Sequence, residues 1–336
     1  MQMSGKAKHE LQQLIDANNW RHGRKHKGVS YSTEDTRAST LWLMFHQLHR
    51  NLNMPMMPRS FKSRHVKPLV RLWEKDGLSA STMQTRLSYL KTFSTWIDKA
   101  GMISFPLADY LENPALARRT YAAQHDKSWS AKGIDIAATI AEITAYDKFN
   151  GAQLTLEWRL GLRLKESCMC RPHESDQGDF FVVKHGTKGG RERRIPIDTP
   201  EKRAAVDLAK SLVEHPSHFL GDPSKTLKQN LDRHRNTLVR FGLTKAKLGA
   251  TGHGLRTGYG LDLYAKLTGE KAPVRGGGVE IPAEADRAAR QRVAEDYGHG
   301  RQSISTAYLG GVLQQRLKNA APHAVADTTE VTHVDS

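Results

Sequence analysis

The sequence predicts a mainly α-helical protein with one small antiparallel β-sheet, divided into an N-terminal helical domain and a larger α+β domain. Three observations carry this reading. Most segments repeat apolar residues at intervals of three and four, the spacing of one helix face. One stretch, DFFVVKHGTKGGRERRIPID, breaks that texture with two short β-prone runs around a glycine-containing turn. The 336 residues are also enough for two domains, each burying its own core.

Taken in order, residues 1–32 are polar and basic and end in WRHGRKHKG, where Arg21, Arg24, Lys25 and Lys27 surround His22 and His26. They read as a basic arm suited to a polyanion, with a solvated terminus as the plain alternative. The His22/His26 pair lacks a neighbouring carboxylate or third ligand and makes no metal site. Residues 33–125 read as a helical domain. STEDTRASTLWLMFHQLHR opens on cap-type residues and then sets Leu41, Phe45, Leu48 and Leu52 at helical spacing. A second helix is expected over Phe61 to Lys75, and a third from Ser79 with Met83, Leu87, Leu90 and Ile97 inward and a stop at Gly101.

A linker with Pro106, Pro114, Arg118 and Arg119 leads to a domain spanning 130–318. Helices are expected over Ile134 to Phe149 and Leu154 to Gly161, then strands over Phe180 to Lys184 and Arg193 to Ile197. Helical patterns return over Pro200 to Phe241 and after Thr251. VRGGGVEIP reads as a flexible loop. Pro282 suits the first turn of a helix that aligns Ile281, Ala285, Ala289 and Val293 and ends at Gly298. The polar, acidic residues 319–336 read as a disordered tail.

Lys and Arg outnumber Asp and Glu by 51 to 35, a formal charge of +16, which suits a partner that is itself a polyanion, nucleic acid first. The apolar runs are too short for a bilayer, and MQMSGKAKHELQQL lacks the apolar core of a signal peptide, so the expectation is a cytoplasmic protein with no membrane partner. Cys168 and Cys170 are too close for an unstrained disulfide and too few for a structural zinc site; they fit a reducing compartment and are given no function.

The residues that carry chemistry lie in the second domain. Cleaving a phosphodiester without a metal needs charge-assisted donors on the phosphate oxygens, a group to handle the proton of the leaving oxygen, and a nucleophile. In HGLR, His253 and Arg256 are three apart at an expected helix start and share a face. Arg163, in GLRLKES, follows a glycine at the end of an apolar helix; alone it would simply pair with Glu166. Lys188 sits in the tight turn HGTKGGRER, where glycines let backbone approach a ligand. His299 lies in YGHG and Tyr308 nine residues later in TAYLG. On one unbroken helix those two would point apart, so a break near Gly300 to Ser303 is required, with Ser303 capping a short final helix.

Taken singly, each of these is more easily structural than catalytic. Their order, GLRxxE, a lysine in a TKGG hairpin followed by RRIPI, then HGLR, YGHG and TAYLG, resembles the tyrosine recombinases, or phage integrase family, over about residues 33 to 315. The resemblance implies a SAM-like core-binding domain at 33–125, with LSYLKTFSTWIDKAG as one of its helices, and a tyrosine-recombinase catalytic domain at 130–318. It implies that Arg163 and Arg256 clamp the scissile phosphate. Lys188 would protonate the leaving 5′ oxygen, His253 assist proton transfer, His299 donate a hydrogen bond, and Tyr308 attack to form a 3′-phosphotyrosyl link. It further implies no cofactor, neither ATP nor metal. The partner would be double-stranded DNA with inverted sites, bound by a monomer that becomes a homotetramer in the synapse, with an accessory DNA-bending protein left open. Integration or excision of a mobile element, in a prokaryotic or phage nucleoid, is the expected role.

Lys62, Arg64, Thr85, Arg86 and Lys91 in the first domain, and Arg191 and Arg193 in the hairpin, are the expected DNA contacts, against the alternative of solvated polar faces. The separation of Arg256 and His299 is longer than in compact family members. The excess falls in LTGEKAPVRGGGVEIP, read as a mobile surface loop or else as a contact to DNA or a neighbouring protomer. Val312, Leu313 and Leu317 would dock on a neighbouring subunit or fold back on their own. Two rivals stand: a type IB topoisomerase-like enzyme that nicks and reseals, and a noncatalytic DNA-binding regulator of the same fold.

Overall fold

The computed structural model describes residues 2–21, 28–278 and 280–312. The chain divides into two compact units, Met1–Thr120 and Tyr121–Ser336.

The first unit is helical. Helix α1 (Gly5–Asn18) is capped by Ser4, whose side chain accepts from the Ala7 amide. Helices α2 (Tyr31–Arg50), α3 (Val66–Lys75) and α4 (Ala80–Trp96) follow, with Ser30 and Ser79 capping α2 and α4 in the same way. Leu41, Phe45, Phe61, Trp73, Leu90 and Phe93 are wholly buried at its centre, and Phe45 meets Phe93 edge-on at 5.1 Å. Helix α1 corrects the expectation of an N-terminal arm: Met3, Ala7, Leu11, Leu14 and Ile15 lie in that same core. The error arose because the apolar residues of KHELQQLI are few, yet all fall on one face. Residues 22–27, with the rest of the basic cluster beyond Arg21 and its His22/His26 pair, lie outside the described residues, as do Leu313, Leu317 and the tail.

The second unit begins with α5 (Ile136–Tyr146) and α6 (Lys148–Leu160). The sequence expectation ran one helix to Phe149, but Asp147 interrupts it, closing α5 and capping α6 through its carboxylate. Short helices α7 (Leu164–Met169) and α8 (Pro172–Ser175) precede strands β1 (Phe180–Val183) and β2 (Arg193–Pro196). The strands pair antiparallel, with Phe181 opposite Ile195 and Val183 opposite Arg193. Beyond them come α9 (Pro200–Ser211), α10 (Leu227–Arg240), α11 (His253–Thr268), α12 (Ala283–Asp296) and α13 (Thr306–Leu309). The core gathers Leu156, Leu160, Phe181, Ile195, Val206, Leu261, Tyr264, Val293 and Leu309. A smaller cluster of Trp129, Ile143, Leu154 and Leu255 lies beside α5. The chain is thus mainly α with a small two-stranded antiparallel sheet. Among the described residues no helix is long and apolar enough to cross a membrane.

Candidate active site

The site is assembled around a buried carboxylate. Helix α6 ends at Gly161, which adopts a left-handed conformation (φ 61°) and lies so close to Tyr259 of α11 that an added Cβ would stand 2.5 Å from its Cδ1. Two residues later Arg163 caps α7, and Glu166 in the first turn accepts from its backbone amide at 2.8 Å and from its Nη1 at 2.6 Å. Arg193 reaches the same carboxylate from β2 with two bonds of 2.8 and 2.6 Å, and Arg256 of α11 stands 3.8 Å away. Burial alone would raise the Glu166 pKa, but the bond and charge of Arg193, with Arg163 and Arg256 behind it, overcome that and bring it to about 2. Glu166 is therefore a fixed anion to which three guanidiniums are referenced.

Two of those guanidiniums converge on one backbone oxygen. The Tyr297 carbonyl accepts from Arg163 Nη2 at 3.0 Å and from Arg256 Nη2 at 2.8 Å. Arg256 also donates to the Gly161 carbonyl and stacks on the Tyr297 ring at 3.9 Å, while the Tyr297 hydroxyl donates to the Arg256 carbonyl. Arg256 is buried, and its Nε has no hydrogen-bond partner.

His253 opens α11 one turn before Arg256. Crowding by protein, then the charges of Arg256, Arg163 and Lys127, lower its pKa, although part of the ring is exposed. His299 follows Gly298, whose positive φ of 64° turns the chain off the end of α12. Its pKa is pushed down to about 4, by burial first and then by Arg163, Arg256, Lys188 and Arg193. Its Nε2 is buried without a partner. Tyr308, half-buried on α13, completes the group: its ring centroid is 4.6 Å from Tyr297, 5.6 Å from His253 and 6.2 Å from His299. Lys188 stands on the exposed turn between β1 and β2, where its charge acts on His299. The chain thus brings Arg163, His253, Arg256, His299 and Tyr308 together, with Lys188 at the edge.

Several expectations need correction. Ser303 caps nothing: Gln302–Ser305 form a 3-10 turn, Ser305 occupies the cap position of α13, and its Oγ donates to Gln302 O at 2.7 Å. The break between His299 and Tyr308 is present where it was expected: α12 stops at Asp296 just before Gly298, and Gly300 and Arg301 are non-helical ahead of the 3-10 turn. Arg193 is not a DNA contact. Its side chain is buried, paired with Glu166, and donates from Nε to Asp296 O at 2.7 Å. In strand β2 the alternation turns Arg193 inward and leaves Arg194 outside. Arg86 is half-buried with its guanidinium over Trp73 at 5.4 Å, whereas Lys62, Arg64, Thr85, Lys91 and Arg191 are exposed.

Sequence reasoning also missed a polar network beneath the site. Glu157 of α6 accepts from Ser167 Oγ at 2.8 Å and lies 3.6 Å from His234 Nε2, while His234 Nδ1 meets Gln153 Oε1 at 3.1 Å. Burial lifts the Glu157 carboxyl to about 8, only partly offset by Ser167, and pushes His234 down to about 4, so both are neutral near pH 7. They line a cavity of about 400 Å³ that also touches Arg163 and His253. The sequence held one weak signal, a glutamate and a glutamine set among Ala152, Leu154, Leu156 and Leu160 of α6.

This geometry can be set beside known proteins. The family model described as "Integrase" matches residues 123–262, and "Phage integrase, N-terminal" matches 17–102. The chain belongs to the phage integrase family of tyrosine recombinases. Tyrosine recombinase XerC of Xanthomonas axonopodis pv. citri (strain 306) is 29% identical over 144 residues, 43% of this chain and 45% of the relative. The chain therefore matches less than half the length of that curated relative. XerC of Yersinia pestis is 25% identical over 209 residues, 58% of this chain and 62% of the relative. Among solved structures, the Tn1549 transposon integrase with a circular intermediate DNA aligns at TM-score 0.54 and 14% identity, covering 92% of this chain and 99% of that one. A lambda integrase dimer bound to a COC' core site aligns at TM-score 0.53 and 14% identity, covering 96% and 99%. At these identities the two structures show that this chain shares the integrase fold.

Proposed function

We propose that this recombinase cuts and rejoins double-stranded DNA by transesterification, with Tyr308 as nucleophile. The observation that carries the reading is the placement of the Tyr308 ring against His253 and His299, over a floor formed by Arg163 and Arg256. A phenol of ordinary pKa near ~10 attacks only where cations and a base ease loss of its proton. Here the Tyr308 oxygen attacks phosphorus, and its proton passes toward His253. Arg163 and Arg256 hold the nonbridging oxygens, His299 donates a hydrogen bond to one of them, and Lys188 protonates the departing 5′ oxygen. The bond to the 5′ oxygen breaks as the bond to Tyr308 forms, giving a 3′-phosphotyrosyl link that an incoming 5′-hydroxyl reverses. The neutral state of His299 supports its role, since a neutral imidazole offers one donor and one acceptor.

The family and the DNA-bound integrases of the same fold also support inverted binding sites and a tetrameric synapse; one such structure is a lambda integrase tetramer on a Holliday junction. Movement of a mobile element is the role most consistent with the transposon and phage integrases among them. The test is a suicide version of the protein's own site, mapped first by sequencing covalent adducts on genomic DNA. The wild type becomes DNA-linked on a denaturing gel. Tyr308→Phe forms no adduct and binds the site unchanged, and an adduct that survives in this variant defeats the assignment. Arg163→Ala and Arg256→Ala each slow cleavage by roughly 100-fold or more through loss of a charge-assisted contact.

A further inference from the structure

The segment expected to be a mobile surface loop is instead fastened into the second unit. Ala272 and Pro273 are buried, and Val274 packs against the main core. Arg275 binds two other parts of the chain, the segment 126–130 and α11: its Nε donates to Asp126 at 2.7 Å, its Nη1 to Asp262 of α11 at 2.7 Å, and its Nη2 lies 3.3 and 3.4 Å from the hydroxyls of Ser128 and Ser130. Asp126 is largely buried and also accepts from the Ser128 amide at 2.7 Å.

Both segments joined by Arg275 end on the helix that carries Tyr308. On one side the Ala123 amide donates to Thr306 O at 3.0 Å, at the first residue of α13. On the other, Gly310 lies so close to the loop that an added Cβ would stand 2.9 Å from the Val274 amide, and its carbonyl accepts from Arg290 at 3.1 Å. Helix α13 is only four residues long and cannot hold its own position. The segment 123–130 also lies against the start of α11: Trp129 donates to Thr251 O at 2.8 Å, and an added Cβ on Gly254 would stand 2.7 Å from Lys127 O. One guanidinium therefore links the helix bearing His253 and Arg256 to two backbone contacts at the ends of α13, which add to the packing of Tyr308 on Tyr297 and of Leu309 in the core.

We infer that Arg275 is a positioning residue, the tie of a bracket formed by residues 123–130 and 272–278 that holds Tyr308 in register with the arginines and histidines of its own chain. The inference rests on Tyr308 being the nucleophile for its consequence in catalysis, but the bracket is testable without DNA. The experiment is amide hydrogen exchange on the full chain, comparing wild type with Arg275→Ala, Arg275→Lys and Asp126→Asn. Expected is exchange in residues 302–311 faster by about tenfold or more in Arg275→Ala, with α6 and the β1–β2 hairpin unchanged. Asp126→Asn, which keeps shape and removes charge, gives a smaller rise in the same peptides, and Arg275→Lys lies between. Unchanged exchange at 302–311, or an equal rise throughout the second unit, overturns the bracket.

On the suicide substrate the expected effect of Arg275→Ala is a cleavage rate down by about tenfold or more at unchanged DNA affinity. A small exogenous nucleophile, hydrogen peroxide, separates positioning from damage to the phosphate site: in a Tyr308→Phe background, adding Arg275→Ala leaves peroxide-driven cleavage unchanged if only the tyrosine has moved. Loss of that cleavage overturns the positioning role. Failure of the Tyr308 assignment is distinct, being an adduct that persists in Tyr308→Phe with the exchange result intact.

Discussion

Glu166 shows how one residue sets the chemistry of others. Its carboxylate is wholly buried and binds Arg193 through both oxygens while also holding Arg163. Desolvating such a charge is costly, and the attraction of well-placed guanidiniums offsets that cost only while they stay. Arg193→Ala removes the bidentate partner, and Arg163 and Arg256 then carry the whole neutralisation. The expected result is a loss of about 3 kcal/mol in unfolding free energy, measured by urea denaturation, with cleavage reduced because both remaining arginines are drawn toward Glu166. A loss below about 1 kcal/mol would show that Arg193 is dispensable there. This role was hidden in RERRIPI, where charge alone cannot say which of two adjacent arginines faces inward. Strand pairing decides it, and pairing is a long-range property. Arg163, His253 and Arg256 were legible because their order and local spacing survive in one dimension.

At the scale of elements, the helices and the hairpin were largely legible, since apolar spacing and serine caps are local signals. Helix α1 and the loop before α12 were not. Their polar composition resembles solvated chain, and only the partners they meet in three dimensions, the core at Leu11 and the carboxylates around Arg275, give them structure. The packing of α6 against α10 and α7 raises a related point, because it buries Glu157 beside His234 and Ser167. The folded carboxyl titrates near 8, above its unfolded value near 4.5, so its burial is free of penalty below about pH 4.5. As pH rises from there, the unfolded chain releases the proton while the folded chain keeps it, and stability is lost until about pH 8. Glu157→Gln keeps an oxygen to accept from Ser167 and removes the titration. The variant is expected to match the wild type near pH 4.5 and to exceed it by about 4 kcal/mol at pH 8, read from denaturant midpoints. A stability difference that does not grow with pH would mean that Glu157 stays ionised and paired with His234.

At the scale of the whole molecule, each unit has apolar clusters of its own among the described residues. The cluster of the first unit runs from Met3 to Leu111, and those of the second draw on residues from Trp129 to Leu309, with no residue in common. The family matches are divided in a similar way, at 17–102 and 123–262. A core that is complete within one unit supports cooperative unfolding of that unit on its own. Phe45 is a suitable probe because it is wholly buried against Phe61 and Phe93, at ring distances of 6.0 and 5.1 Å, far in sequence from any residue of the other cores. Phe45→Ala leaves a cavity worth about 3–5 kcal/mol. In scanning calorimetry the wild type is expected to show two transitions, and the substitution to lower one of them by several degrees or more while the other stays in place. A single transition that moves as a whole would mean that the two units stabilise one another enough to unfold together. The Glu157→Gln variant provides the converse check, since its pH-dependent gain belongs to the transition that Phe45→Ala leaves unmoved.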